Sequence, residues 1–333
     1  MGQSHTTINS EQFGATTTAD DVGNRFKEYA VGKFVLVTGG SGGLGKETAR
    51  ILCKYGADVM FTCRTEKQGN EVVAAIKAEL PDARISYGVM SLDDLETIKV
   101  FADRYLTSNR PLNALINNAG IMACDFTKTK QGFESQFGVN FIGHYYLTKK
   151  LLPVLTRSGT PESKSRVINV SSLANYVYPP ASGILWNDLS GDANYNKWER
   201  YGQSKLANIL HANDLNRRFL EQKINVVAAS LHPGVIIETD LARHNSLLAI
   251  LIQNTAFFYN DLRKLILLFT QYQKSTAQGA ATSVLTALDP QLKPAGWYVD
   301  CQETTNLLNP NARNVSIAER LCNTADELIK PFE

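Results

Sequence analysis

Thr38-Gly39-Gly40-Ser41-Gly42-Gly43-Leu44-Gly45 follows immediately on the apolar run Phe34 to Val37. A short run of that kind suits a strand buried on both faces. Leu44, Thr48, Ile51, Leu52 and Tyr55 then recur at helical spacing. Strand, glycine turn and helix in that order make a phosphate cradle. Glycine lets a ligand approach the backbone, and the free N–H groups at the helix start face the anion. Two registers fit the cluster: Gly40, Gly42 and Gly45 as GxGxxG, or Gly39, Gly43 and Gly45 as TGxxxGxG.

The alternation continues down the chain. Asp58 to Thr62, Arg84 to Val89, Leu112 to Asn117, Arg166 to Ser171, Asn225 to Leu231 and Trp297 to Val299 read as strands. Helices are expected over Thr65 to Leu80, Asp93 to Tyr105, Phe133 to Leu155, Tyr201 to Gln222 and Thr276 to Leu288. Strands alternating with helices imply right-handed βαβ units. The expected fold class is therefore α/β, a Rossmann-type doubly wound parallel sheet. Ligands on such a sheet bind beyond the carboxyl ends of the strands. One domain is expected over residues 31–333, preceded by a polar, loosely attached leader at 1–30. Two segments interrupt the rhythm: the turn-rich Asn175 to Arg200, and the apolar, helical Arg243 to Lys274.

Composition narrows the partners. Of 333 residues, 44% are hydrophobic and 20% charged, with a net charge of +2. That balance gives no electrostatic pull toward nucleic acid or an anionic membrane. No stretch reaches the roughly 20 apolar residues of a membrane span. Five cysteines without a CxxC pair argue against a disulfide framework and fit a reducing, cytoplasmic setting. No His/Cys/carboxylate spacing suggests a metal. Met1-Gly2-Gln3-Ser4-His5-Thr6 fits the loose pattern for N-terminal acylation, but chance produces so short a pattern often.

The residues just behind the strands carry the candidate chemistry. Arg64, closing the second strand, can pair with a ribose 2′-phosphate through its planar fork, which favours NADP(H). Glu66 nearby leaves NAD(H) open, and Arg64 also reads as plain surface charge. Asn117-Asn118-Ala119-Gly120 follows the fourth strand, and Ser171-Ser172 the fifth. Tyr201-Gly202-Gln203-Ser204-Lys205 opens the next helix, where positions i and i+4 share a face. A cation beside a phenol favours the phenolate, so Lys205 is expected to lower the pKa of Tyr201 from its usual value of about 10. His232 either lines the site or packs a loop; His144 and His211 read as satisfied helix residues.

Taken together and in this order, TGxxxGxG, NNAG, the strand-end serine and YxxxK resemble the short-chain dehydrogenase/reductase family over about residues 30 to 330. Phe13 to Ala19, Gly45-Lys46-Glu47-Thr48-Ala49 and Leu231-His232-Pro233-Gly234-Val235 are similar to its retinol-dehydrogenase and WW-domain-oxidoreductase branch. The resemblance implies that Tyr201 exchanges the proton, with Lys205 tuning it and holding the nicotinamide ribose. It implies that Ser172 orients the substrate oxygen and that Asn140 holds a water linking Lys205 to solvent. Gly39, Ser41, Gly43, Leu44, Gly45, Asn118, Ala119, Gly120, Val235 and Thr239 would contact the dinucleotide. The family's acidic adenine contact aligns with Ser91, or with Asp93 after a shift. The 29-residue step from Ser172 to Tyr201 is long, as it is in that branch.

The expected activity is hydride transfer between NADP(H) and a carbonyl or alcohol carbon. The segment 243–274 is expected to cover a bulky apolar substrate, such as a polyketide, terpenoid, steroid or retinoid. Leu247, Leu248, Leu251, Phe257 and Phe258 are its candidate wall; core packing or a dimer surface fits as well. The family's long helices make a homodimer or homotetramer the expected assembly. Two rivals are a non-catalytic NADP(H) sensor or scaffold and a nucleotide-sugar epimerase or dehydratase.

Overall fold

A computed structural model describes residues 13–236 and 273–333. Strands β1 (Phe34–Val37), β2 (Asp58–Cys63), β3 (Ile85–Val89), β4 (Ala114–Asn117), β5 (Ser165–Val170) and β6 (Val226–His232) form a parallel sheet. Two short strands, β7 (Val235–Ile236) and β8 (Gln273–Lys274), pair separately. β9 (Trp297–Val299) joins β6 in parallel, and β10 (Gln302–Glu303) turns back as an antiparallel edge. Across the sheet the order is 3-2-1-4-5-6-9-10. The order reverses between β1 and β4, and the crevice beyond a reversal is where such sheets take ligands.

The helices are α1 (Ala19–Arg25), α2 (Lys27–Ala30), α3 (Gly43–Lys54), α4 (Glu66–Glu79), α5 (Leu95–Thr107), α6 (Ser135–Phe137), α7 (Gly143–Ser158), α8 (Ala174–Val177), α9 (Lys197–Glu221), α10 (Thr276–Leu288) and α11 (Val315–Ile329). They cover both faces of the sheet, and the strands alternate between the two cores. Leu36, Leu115 and Val167 pack with α5, α7, α9 and α11. Val35, Val37, Ile116 and Ile168 pack with α1, α3, α4 and α10. The period of two is the pleat of the strands.

The leader expected over 1–30 is, from Phe13 onward, part of the domain. Thr18 and Asp21 form a capping box at the start of α1. Ala19, Val22, Phe26 and Ala30 are fully buried in the core beside α10 and α3. Burial of a ring such as Phe26 contributes about 2–3 kcal/mol, enough to overcome the polar composition around it. Gln302 Nε2 donates to the Phe13 carbonyl at 2.7 Å, and Tyr55 and Lys54 both reach Asp20.

Helix α11 was not anticipated. Asn314 caps it, and Ala318, Leu321, Cys322, Ala325 and Ile329 form its buried stripe. That stripe was readable at helical spacing. At the other inserted segment, the described end of 243–274 is a strand: Gln273 and Lys274 pair with Val235 and Ile236. The rest of it, with the candidate wall residues from Leu247 to Phe258, lies outside the described residues, as does Thr239.

Candidate active site

The glycine cluster takes one of the two registers. Gly39 and Gly43 have φ of +68° and +50°, in the left-handed region that glycine occupies without cost. A Cβ on Gly45 would lie 2.4 Å from the Gly39 carbonyl oxygen and 2.5 Å from Asn118 Nδ2. Gly42 is extended and faces open space, so nothing there requires glycine. Gly40 is crowded as well, a Cβ there lying 2.4 Å from the Phe61 Cβ, so it is Gly42 that rules out GxGxxG and leaves Gly39, Gly43 and Gly45 as the register. Helix α3 begins at Gly43 with no side-chain cap. The first N–H returned into it belongs to Lys46, which donates to the Gly42 carbonyl. The donors before it face the crevice mouth, where an anion suits both the free N–H groups and the helix dipole.

Thr38 ties this turn to the next strand end. Its Oγ1 accepts the N–H groups of Asn118 and Ala119 at 2.9 and 3.0 Å. Asn118 Nδ2 donates to the Thr38 carbonyl at 2.8 Å. Thr38 Oγ1 also lies 2.8 Å from His144 Nε2, and His144 Nδ1 lies 3.0 Å from the Asn140 carbonyl. The carbonyl can only accept, so Nδ1 donates and Nε2 accepts the Thr38 hydroxyl. Burial pushes the His144 pKa down to about 4, which keeps that neutral tautomer.

Asn140 sits in a π-turn over Gly138–Ile142, between α6 and α7. It is fully buried, and its side chain clamps Ile121 in both directions. Oδ1 accepts the Ile121 N–H at 2.8 Å, and Nδ2 donates to the Ile121 carbonyl and to Ser204 Oγ, each at 2.9 Å. Asn140 thus fixes the loop behind β4 against α9. A Cβ on Gly120 would come within 3.1 Å of Asn140 Oδ1 and 3.3 Å of Lys205 Nζ.

Ser171 and Ser172 separate cleanly. Ser171 is buried and donates to the Lys205 carbonyl at 2.6 Å. Ser172 is half-buried, borders the cavity, and bonds with the Tyr201 phenol. Tyr201 and Lys205 lie one turn apart on α9, both buried. Lys205 Nζ is 5.7 Å from the centre of the Tyr201 ring and donates to the Val170 carbonyl at 3.2 Å. Burial raises the Tyr201 pKa to about 12, with Ser172 opposing the rise, and lowers that of Lys205 to about 8. The expected lowering of the Tyr201 pKa by Lys205 is not what this geometry gives. Desolvation penalises the charged form of each group and is the largest cause of both shifts.

One cavity of about 590 Å³ joins these features. Gly39, Ser41, Gly43, Leu44, Gly45, Arg64, Ser91, Asp93, Asn118, Ala119 and Gly120 border it, with Ser172, Tyr201, Lys205 and Val235. Arg64 is exposed and makes no ion pair among the described residues. Ser91 Oγ donates to Asp93, so both candidates for the missing acidic contact stand together. His232 also borders the cavity, its Nδ1 accepting the Leu173 N–H at 3.2 Å.

The short chain dehydrogenase family matches residues 33–184. Retinol dehydrogenase 12 of Mus musculus is 37% identical over 300 residues, covering 90% of this chain and 86% of that one. The chloroplastic short-chain dehydrogenase TIC 32 A of Brassica napus is 35% identical over 321 residues, 96% of this chain and 94% of that one. The chain belongs to the short-chain dehydrogenase/reductase family. Within it, the similarity is to the retinol-dehydrogenase-like branch. A crystal structure of an uncharacterized Mycobacterium paratuberculosis protein superposes with a TM-score of 0.68 at 28% identity, covering 90% of this chain and 94% of that one.

Members of this family are oxidoreductases that bind a nicotinamide dinucleotide, and the residues here fit one. The crowding at Gly39 and Gly45 leaves the turn no room for a Cβ, and the α3 start offers free donors to a pyrophosphate. Among the bordering residues not read from the sequence are Gln68, Leu92, Met122, Tyr178 and Trp198. Trp198 was the most accessible of them. Asn196 caps α9 through the Trp198 and Glu199 N–H groups, starting the helix a turn earlier than expected. Among the described residues, no cluster suits a metal and no helix is long and apolar enough to cross a membrane.

Proposed function

We propose that this oxidoreductase uses NADP(H) to interconvert a carbonyl and its alcohol on a bulky, largely apolar small molecule. The observation that carries the reading is the single cavity shared by the α3 start, Arg64, Ser172, Tyr201 and Lys205. Gly39 to Gly45 would hold the pyrophosphate, Arg64 the 2′-phosphate, and Lys205 the nicotinamide ribose. Among the described residues Arg64 pairs with no carboxylate, and Glu66 does not border the cavity, which supports NADP(H) over NAD(H). Asn118, Ala119, Gly120 and Val235 would line the rest of the dinucleotide. Bound there, the cofactor supplies or accepts the hydride.

The protein's own groups handle the proton. Tyr201, held protonated by burial, donates to the carbonyl oxygen during reduction. Ser172 bonds the same oxygen and stabilises the charge that develops on it. Lys205 keeps a cation beside the phenol at neutral pH. Asn140 keeps the loop at Ile121 seated, and its place beside Lys205 supports a role in returning the proton from solvent. Apolar side chains supply the substrate end, among them Met122, Leu173 and Val177. All five cysteines are free thiols, which supports a reducing compartment, and the cytoplasm is the location we put forward.

Kinetics with a panel of bulky ketones test the cofactor assignment. NADPH is expected to give a kcat/KM at least about tenfold above NADH. Arg64→Leu should remove that preference by raising the KM for NADPH alone. Equal use of both cofactors by the unmodified protein would overturn the NADP(H) assignment.

A further inference from the structure

Tyr178 and Trp198 stand out among the cavity residues because their polar atoms go unused. The Tyr178 hydroxyl and the Trp198 indole N–H are both buried, and neither has a hydrogen-bond partner among the described residues. Both side chains border the cavity. Their rings pack at 5.3 Å and 34°, and with Met122 and Ala123 they form a small apolar cluster apart from the two main cores. A buried donor without a partner costs free energy unless something fills it, and native structures leave few such groups. Here two such donors belong to neighbouring side chains that border the substrate cavity, and both lack an acceptor.

The pair is fixed relative to the reacting group. Trp198 lies one turn before Tyr201 on α9. Tyr178 packs against Gly202, where a Cβ would sit 2.6 Å from its own Cβ. The Tyr201 phenol is near enough to add to the upward push that burial gives the Tyr178 pKa.

We propose that Tyr178 and Trp198 form a second recognition point, which binds an acceptor oxygen of the substrate other than the one that reacts. The ligand class is a ring-containing, mainly apolar carbonyl compound carrying a further keto, ester or ether oxygen. Its ring lies against the two aromatic faces and Met122, and its remote oxygen takes a hydrogen bond from the phenol or the indole. This rests on the substrate class proposed above and deepens it.

The test is binding of two matched probes, trans-decalin-1-one and trans-decalin-1,5-dione, to the protein saturated with NADP⁺, measured by calorimetry. The dione should bind about tenfold more tightly than the monoketone. Tyr178→Phe deletes one donor and keeps its ring; Trp198→Phe deletes the other and exchanges the indole for a smaller aromatic ring. At least one of them should remove the dione's advantage and leave monoketone affinity within about twofold. Equal affinity of the two probes, or an equal loss for both in each variant, would overturn the proposal. The readout needs no turnover, so it fails separately from the reading beneath it, which fails if Tyr201→Phe keeps its reductase activity.

Discussion

Tyr201 and Lys205 share one face of α9, 5.7 Å from ring centre to ammonium, and burial moves their pKa values in opposite directions, up to about 12 for the phenol and down to about 8 for the ammonium. The direction of each shift sets a pH dependence. Reduction needs a protonated phenol and a charged ammonium. The phenol stays protonated across the neutral range, while Lys205 loses its charge as pH rises through about 8. The rate of ketone reduction should be level between about pH 6 and 7.5 and fall above about 8. Alcohol oxidation needs the phenol as a base, so its rate should climb with pH. Paired pH–rate profiles check this; a reductive rate that climbs through pH 8 would contradict it.

The same burial makes Lys205 a cost to the fold. Its pKa is below the ordinary value of 10.5, so the folded state disfavours the charged form. That penalty is fully present below about pH 8 and fades as pH approaches the unfolded value. Lys205→Met should therefore abolish activity and yet stabilise the protein at pH 7, by about 2–3 kcal/mol. The Val170 carbonyl keeps a donor, because Asn208 Nδ2 also reaches it at 3.2 Å. Thermal unfolding at pH 7 and pH 10 measures the effect, which should shrink at the higher pH.

Helix α11 bears on assembly. It packs on α9, and Tyr145 of α7 donates to the Cys322 carbonyl at 3.0 Å. Asp326 pairs with Lys149 of α7 and Arg218 of α9. The long helices through which a homodimer or homotetramer was expected thus carry the chain's own C-terminal helix. A monomer of 36.7 kDa is the expected species in size-exclusion chromatography with light scattering. A stable dimer at micromolar concentration would contradict this.

Much of the fold was legible because parallel βαβ units write themselves as alternating short apolar runs and amphipathic stretches. The bounds of β2, β5 and α4 lie within a residue or two of the reading. The start of α9 was missed by one turn because Tyr201 drew the reading to the motif and away from the Asn196 cap. The docking of α1 was hidden because four small or aromatic residues among polar ones carry its burial. The glycine register could not come from spacing alone; it depends on φ and on what crowds Gly45. The shift at Tyr201 runs opposite to the expectation because i, i+4 spacing reports proximity but not the depth of burial that decides the sign.

The central claim is that Tyr201 supplies the proton in a nicotinamide-dependent reduction. Tyr201→Phe removes only the hydroxyl from a buried ring. Single-turnover oxidation of NADPH against a bulky ketone should slow by about a thousandfold in this variant, with NADPH affinity within about twofold of the unmodified protein. A single-turnover rate near that of the unmodified protein would contradict the account.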